Sequence, residues 1–294
     1  MDQIAVALIG FGEAGRSFAE AGSWSTSARV FDVLTDDPAS ADRKRREYLA
    51  AGVAGSDTLA DAVSRSPLVL SLVTADQAVV AARAAASLVA PAAMFCDMNS
   101  VAPETKRIAA QTIEAAGGWY VDVAVMAPVN PAKLSVPLLL SGVRGSDAAA
   151  ALERLGFTNI RVVGDKVGQA SAIKMIRSVM VKGIEALTAE CVLAAERAGV
   201  TAEVLGSLGP EWDAKADYNL DRMMVHGLRR AAEMEEVALT LEGLGAASGM
   251  TREAVALHRR LGRLGVTPPP EGLSAKIEKI TDLESKLVGR VDAA

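Results

Sequence analysis

Two groups of residues in this 294-residue chain have the types and spacing to do chemistry. The first is Gly10, Gly12 and Gly15, a G-x-G-x-x-G run between the apolar segment Ile4 to Ile9 and a helical stretch that continues through Ala19 to about Gly22. Gly10 allows a tight turn, Gly12 lets backbone approach a pyrophosphate, and Gly15 lets the helix pack closely on the preceding strand. An anion would then lie at a helix N-terminus, where unpaired N–H groups and the helix dipole favour negative charge, with Phe11, Glu13 and Ala14 completing the loop. Arg29 to Phe31 reads as the next strand and ends at Asp32, about twenty residues on, where a carboxylate accepts hydrogen bonds from an adenosine ribose. A carboxylate there repels a 2′-phosphate, so NAD is expected over NADP. The basic run Arg43 to Arg46, beside Asp42 and Glu47, reads as a solvated helix face, with contact to a cofactor phosphate as the alternative.

The second group is Lys174, Arg177, Ser178 and Lys182, which crowd one side of about two turns of a helix predicted from Gly164 to Gly199. Asp165 is placed to cap that helix and Gly199 to end it. Ile173, Ile176, Met180, Ile184, Leu187, Cys191, Ala194 and Ala198 recur at alternating steps of three and four, an apolar stripe expected to form the buried seam. Periodicity alone leaves the cationic face open as an ordinary solvated one.

The elements that must position these groups alternate. After the first two strands come a helix near Ala41 to Ala51, a short one from Asp57 to Ser64, and strands Leu68 to Leu72 and Met94 to Asp97, separated by a helix from Gln77 to Val89. In a doubly wound parallel sheet ligands bind beyond the carboxyl ends of strands, which points to Val73, Thr74, Asn99 and Ser100 as lining the nicotinamide end. Ser100 reads equally as a cap for the helix starting near Pro103. Strands Tyr120 to Val125, Pro137 to Ser141 and Ile160 to Val163 follow, with a helix from Asp147 to Leu155, and everything beyond Gly164 reads helical. Breaks fall at Gly199, Gly209-Pro210, Gly245 to Gly249 and Pro268 to Pro270. The expected organisation is an α/β doubly wound domain over residues 1–163, then an all-α domain over 164–294, joined by the long helix.

Composition narrows the classes. Half of the residues are hydrophobic and the net charge is −5, which leaves no electrostatic footprint for nucleic acid. Cys96 and Cys191 are the two cysteines, too few for a disulfide framework or a zinc site, and no metal site is expected. No targeting segment and no run long enough to cross a membrane is evident, so a cytoplasmic protein is expected.

Four stretches together resemble the β-hydroxyacid dehydrogenase family, which includes 3-hydroxyisobutyrate and 6-phosphogluconate dehydrogenases. They are GFGEAGRSFA from Gly10, DMNSVAP from Asp97, DVAVMAP from Asp122 with LLLSG from Leu138, and GQASAIK from Gly168 to Lys174. The resemblance implies a Rossmann-type domain, hydride transfer between a nicotinamide and the hydroxyl carbon of a small hydroxy acid or polyol, and Lys174 as general acid/base. A lysine acts as a base near neutrality when burial or a neighbouring cation lowers its pKa, and Arg177 and Lys182 are the expected cations. The resemblance also places Ser178 where the family has a catalytic asparagine. Asp122, Met126, Ala127 and Pro128 stand in its substrate loop, with Arg177 as a further contact to a small anionic substrate. It implies a homodimer paired through the helical domains.

The chain departs from the family pattern in ways that bear on the substrate. Met126, Ala127 and Pro128 replace the Ser-Gly-Gly that holds a carboxylate, and proline has no N–H to offer. Glu235-Glu236 stand near a family Lys-Asp pair. These features resemble a subgroup with a phosphogluconate-dehydrogenase-like C-terminal domain of unknown function. Arg229 or Arg230 could replace the lost anion contacts, or Arg229 could pair with Glu233. His226, Trp212 and Tyr218 are further candidates, His226 reading first as structural. An imine-type C=N reductase and a non-catalytic dinucleotide-binding protein are the alternative functions.

Overall fold

A computed structural model describes residues 5–291 and divides into two compact units, Met1–Met175 and Ile176–Ala294. The division falls inside the long helix. Strands β1 (Val6–Ile9), β2 (Ala28–Phe31), β3 (Ala54–Gly55), β4 (Leu68–Ser71), β5 (Met94–Asp97), β6 (Trp119–Val125), β7 (Leu138–Ser141) and β8 (Ile160–Gly164) form one sheet in the order β3-β2-β1-β4-β5-β6-β7-β8. Every pair is parallel except β6 with β7. Helices α1 (Glu13–Ala21), α2 (Pro38–Ala50), α3 (Leu59–Val63), α4 (Ala78–Ala86), α5 (Pro103–Ala115) and α6 (Gly145–Arg154) make the crossovers. Ile4 lies outside the described residues. The two-residue β3 is too short for any periodic signal.

Both faces of the sheet are covered, which is why its strands read as unbroken apolar runs rather than alternating ones. In β1, Val6 and Leu8 pack into a cluster with Phe18, Trp24 and Phe157, while Ala7 and Ile9 join Ala82, Ala85, Phe95 and Ile113. Strand order reverses between β1 and β4, so a crevice opens beyond their carboxyl ends, beside the loop that follows Ile9.

A buried ionic network fixes the neighbouring strand ends. Lys106, from α5, has no solvent exposure and donates from Nζ to the Asp97 carbonyl at 2.6 Å and to Asp97 Oδ1 at 2.8 Å. The same ammonium lies 3.5 Å from Asp122 Oδ1. Tyr120 donates its hydroxyl proton to Asp97 Oδ2 at 2.6 Å. Burial and the adjacent carboxylate push the Tyr120 pKa well up, so the hydroxyl remains a donor.

Asp122 also corrects the expected start of the long helix. Helix α7 is Gln169–Ala198, beginning after a turn over 165–168, and Asp165 does not cap it. Asp122 Oδ2 instead accepts from the N–H groups of Gly168 at 3.1 Å and Ser171 at 3.0 Å, and from the Ser171 hydroxyl at 2.9 Å. A carboxylate brought from a distant strand thus satisfies the unpaired donors of the first turn and opposes the positive end of the dipole.

The second unit holds most of α7 with α8 (Thr201–Leu208), α9 (Trp212–Gly243), α10 (Gly249–Gly262) and α11 (Leu273–Val291). Helices α9 and α10 touch through backbone: a Cβ on Gly227 would lie 2.4 Å from the His258 carbonyl. None of the helices among the described residues is long and apolar enough to cross a membrane.

The buried seam of α7 is the reverse of the one expected. Ile176, Met180, Ile184 and Leu187 are 40% to 64% exposed, whereas Ser178, Lys182 and Glu185 are buried with Ala186, Ala189, Val192 and Leu193. Ile173, Ala194 and Ala198 are exposed and Cys191 is half-buried. The interior accepts the polar residues because partners await them. Lys182 Nζ is 2.8 Å from Glu233, Arg230 is 2.9 Å from Glu185 Oε1, and Asn219 donates to Thr188 Oγ1 at 3.0 Å. His258, fully buried, donates from Nε2 to the Lys182 carbonyl at 3.1 Å, since a carbonyl can only accept, so that nitrogen carries a proton.

Both interiors can be tested through stability. Lys106→Met leaves two buried carboxylates facing each other without a cation, and is expected to cost about 3–5 kcal/mol in denaturant unfolding; an unchanged midpoint would contradict the network's role. Burial, ahead of all other causes, lowers the His258 pKa from 6.5 to about 4. The unfolded chain therefore binds a proton that the folded chain refuses between those values. Its contribution is fully present above about pH 6.5 and is lost as pH falls towards 4, roughly 3 kcal/mol in all. Urea unfolding from pH 4 to 7 should show that slope in the wild type and lose it in His258→Gln; equal slopes would refute the assignment.

Candidate functional site

The loop between β1 and α1 separates what the fold needs from what a ligand needs. Gly10 has φ +88°, and a Cβ there would lie 2.6 Å from the Leu72 carbonyl oxygen. At Gly15 a Cβ would lie 2.9 Å from the Gly10 carbonyl oxygen, so helix and loop pack in contact. Gly12, the residue before α1, has an ordinary φ of −82°, and a Cβ on it would meet nothing within 4 Å. Protein packing thus explains Gly10 and Gly15 but places no demand on Gly12. Open space in front of a helix N-terminus is what a pyrophosphate requires. Glu13 is exposed in the first turn and Ala14 half-buried, while the Phe11 ring is buried against Tyr48.

Asp32 stands at the end of β2, 8% exposed. Its Oδ2 accepts from the Phe11 N–H at 2.7 Å and its Oδ1 from the Leu34 N–H at 3.0 Å. The carboxylate is thereby aimed and tied to the glycine loop, with remaining lone pairs for ribose hydroxyls.

Beyond β4 and β5 the expected residues divide. Asn99 is 4% exposed and staples the strand ends, accepting from the Val73 N–H at 2.7 Å and donating to Ser71 Oγ at 3.0 Å. It shapes the crevice from below. Thr74 is exposed and Val73 half-buried at the same rim. Ser100 is not a helix cap, because Ala102 precedes α5. Its buried hydroxyl has no hydrogen-bond partner among the described residues, which suits a polar group brought by a ligand or water.

The expected substrate loop needs correction. Asp122 is fully buried and occupied by Lys106, Ser141 and the start of α7, so it anchors structure and does not meet substrate directly. The Met126 N–H donates to the Pro137 carbonyl at 2.9 Å, and Pro128 has none. Met126 is half-buried; Ala127 and Pro128 are exposed. Two of these three positions thus have no N–H to offer an anion.

On α7, Lys174 is half-buried, Arg177 exposed and Ser178 buried. Lys182 is not the neighbouring cation expected, since Glu233 pairs with its ammonium; burial lowers its pKa and Glu233 opposes the shift. Arg229 pairs with Glu233 at 2.7 Å on the surface, and Arg230 is committed to Glu185. Both guanidinium groups thus have carboxylate partners within the second unit. Burial raises the Glu185 pKa and lowers that of Arg230. Glu235 pairs with Arg259, Tyr218 is exposed, and His226 is half-buried in α9. Among the described residues no group of three or more His, Cys, Asp or Glu is arranged to hold a metal ion. Lys106, Glu185 and His258 carry no signal in the sequence because their partners come from other elements of the fold.

Two family models match the chain. Residues 5–157 match the NAD binding domain of 6-phosphogluconate dehydrogenase, and residues 195–261 match a domain of unknown function, DUF1932. A conserved hypothetical protein from Sinorhizobium meliloti 1021 is 37% identical, with 96% of this chain and 97% of that one covered and a TM-score of 0.77. At the level of fold alone, the chain is similar to a Mycobacterium tuberculosis 3-hydroxyisobutyrate dehydrogenase bound to L-serine (18% identity, TM-score 0.70, 95% and 99% covered). A reductive aminase from Aspergillus terreus in complex with NADPH is a similar case (20% identity, TM-score 0.56, 90% and 95% covered). With its glycine loop, its Asp32 and a match over more than half its length, the chain belongs to the family defined by the NAD binding domain of 6-phosphogluconate dehydrogenase.

Proposed function

We propose that the protein is an oxidoreductase that transfers hydride between a nicotinamide dinucleotide, NAD in preference to NADP, and the hydroxyl-bearing carbon of a small anionic hydroxy acid or polyol. The open space in front of Gly12, at a helix N-terminus and beside a tethered Asp32, is the observation that carries the cofactor half. Bound there, the nicotinamide supplies the hydride acceptor or donor. Lys174 takes the hydroxyl proton as the alcohol is oxidised and returns it in the reverse direction, and Ser178 assists by hydrogen bonding. Thr74 and Ser100 offer polar groups to the nicotinamide end.

A lysine at position 174 favours the alcohol reaction over reduction of an iminium, which takes up hydride with no proton transfer, whereas an alkoxide-level oxygen must gain or lose a proton. The spent N–H of Met126 and the proline at 128 argue for a substrate whose anion is held otherwise than in the hydroxyacid dehydrogenases that the chain resembles. A homodimer is the second element of this reading. Ile176, Met180, Ile184 and Leu187 form an exposed apolar stripe beside a groove of about 740 Å³ in the second unit, lined also by Met250 and Leu257. Soluble proteins rarely leave so continuous a patch to water.

Lys174→Ala should lower turnover with a validated hydroxy-acid substrate by about 10²–10⁴-fold while NADH still binds. Full turnover in that variant would refute the catalytic assignment. Sedimentation should show a dimer that Leu187→Glu converts to a monomer; a monomeric wild type would remove the second copy from the account.

A further inference from the structure

The basic run Arg43 to Arg46 does not act as a unit. Arg43, Arg45 and Arg46 are exposed, whereas Lys44 is 5% exposed and turns inward beneath the glycine loop. Its ammonium donates to the Phe11 carbonyl at 2.9 Å and to Glu47 Oε2 at 2.7 Å, and it lies 3.7 Å from Asp32 Oδ2. Phe11 in turn donates its N–H to that same Asp32 oxygen at 2.7 Å. A single side chain therefore ties together the glycine loop and the ribose-facing carboxylate. Two of its three protons are spent in hydrogen bonds, and Asp32 adds an ionic contact.

Resting on the cofactor reading above, we infer that Lys44 and Glu47 set which nicotinamide dinucleotide is accepted: Lys44 positions the loop and Asp32, and Glu47 holds the Lys44 ammonium inward. Two carboxylates around one ammonium leave the pocket wall with net negative charge. A 2′-phosphate arriving beside Asp32 then meets repulsion and finds the Lys44 ammonium already engaged, whereas ribose hydroxyls meet an aimed acceptor. Without Glu47 the ammonium keeps only the loop carbonyl and Asp32, and it becomes a point-charge ligand for a phosphate. Lys44 is a positioning residue. Glu47, half-exposed on the adjoining turn of α2, acts through it.

The test is titration of the full-length protein with NADH and with NADPH, comparing wild type, Glu47→Gln, Lys44→Met and the double variant. Glu47→Gln should move the NADPH-to-NADH affinity ratio about tenfold or more towards NADPH, the scale of one new charge-assisted hydrogen bond to the 2′-phosphate. Lys44→Met should weaken NADH binding by a similar factor without that shift in ratio, and in the double variant the shift should vanish, because Glu47 works only through the lysine. A purely structural role would lower both affinities together and leave the ratio unmoved. Should Lys44→Met fail to fold by thermal unfolding, the ratio in Glu47→Gln decides alone. Wild-type binding of NADH with an unmoved ratio in Glu47→Gln overturns this inference and spares the functional reading. A wild type that binds neither dinucleotide overturns both.

Discussion

The first unit depends on one buried cation. Lys106 sits with no solvent exposure between Asp97 at the end of β5 and Asp122 on β6, and those two carboxylates position most of what surrounds the crevice. Asp97 Oδ1 accepts from the Asn99 N–H at 2.9 Å, so the network reaches Ser71 and Val73 through the Asn99 side chain. Asp122 holds the first turn of α7, and Lys174 follows about one turn beyond Ser171. Such an arrangement is costly to desolvate and valuable only when complete, since removing one partner leaves a bare charge in the interior. Its return is geometry: strand ends and a helix start are held to a few ångströms by directional bonds that apolar packing does not provide.

The second unit applies the same physics with a different outcome. Its interior contains Lys182, Glu185, Arg230 and His258, each paired or hydrogen-bonded, and α7 turns its larger apolar residues outward. Charges that looked available for a substrate are thereby consumed by one another. In the first unit, the loop over 126–128 has the Met126 N–H spent on the Pro137 carbonyl and no N–H at Pro128.

How much of this was legible in the sequence depended on the range of the interactions. Strands, crossover helices and the glycine loop are local patterns, and Gly10, Gly12, Gly15 and Asp32 stand where their spacing put them. Helix breaks at Gly199, Gly209 and Gly245 were readable for the same reason, as all three adopt positive φ. Periodicity identified the two faces of α7 but could not choose which is buried, because that choice was made by Glu233, Arg230 and His258 from other helices. Asp122 illustrates the limit on site residues: a motif position can be kept for anchoring rather than contact, and only three-dimensional partners tell the two apart. Lys44 was hidden in a run of four basic residues, one of which points inward.

The account rests on a dinucleotide binding in front of Gly12, and the most direct measurement is titration of NADH, followed by nicotinamide fluorescence, into wild type and Gly12→Val. A Cβ at this position meets nothing within 4 Å, and equal melting of both proteins, checked alongside, separates loss of binding from loss of fold. Saturable binding by the wild type, weakened about tenfold or more in the variant by loss of close backbone approach, is the predicted result. Absence of binding to the wild type, or equal binding by both, would contradict it.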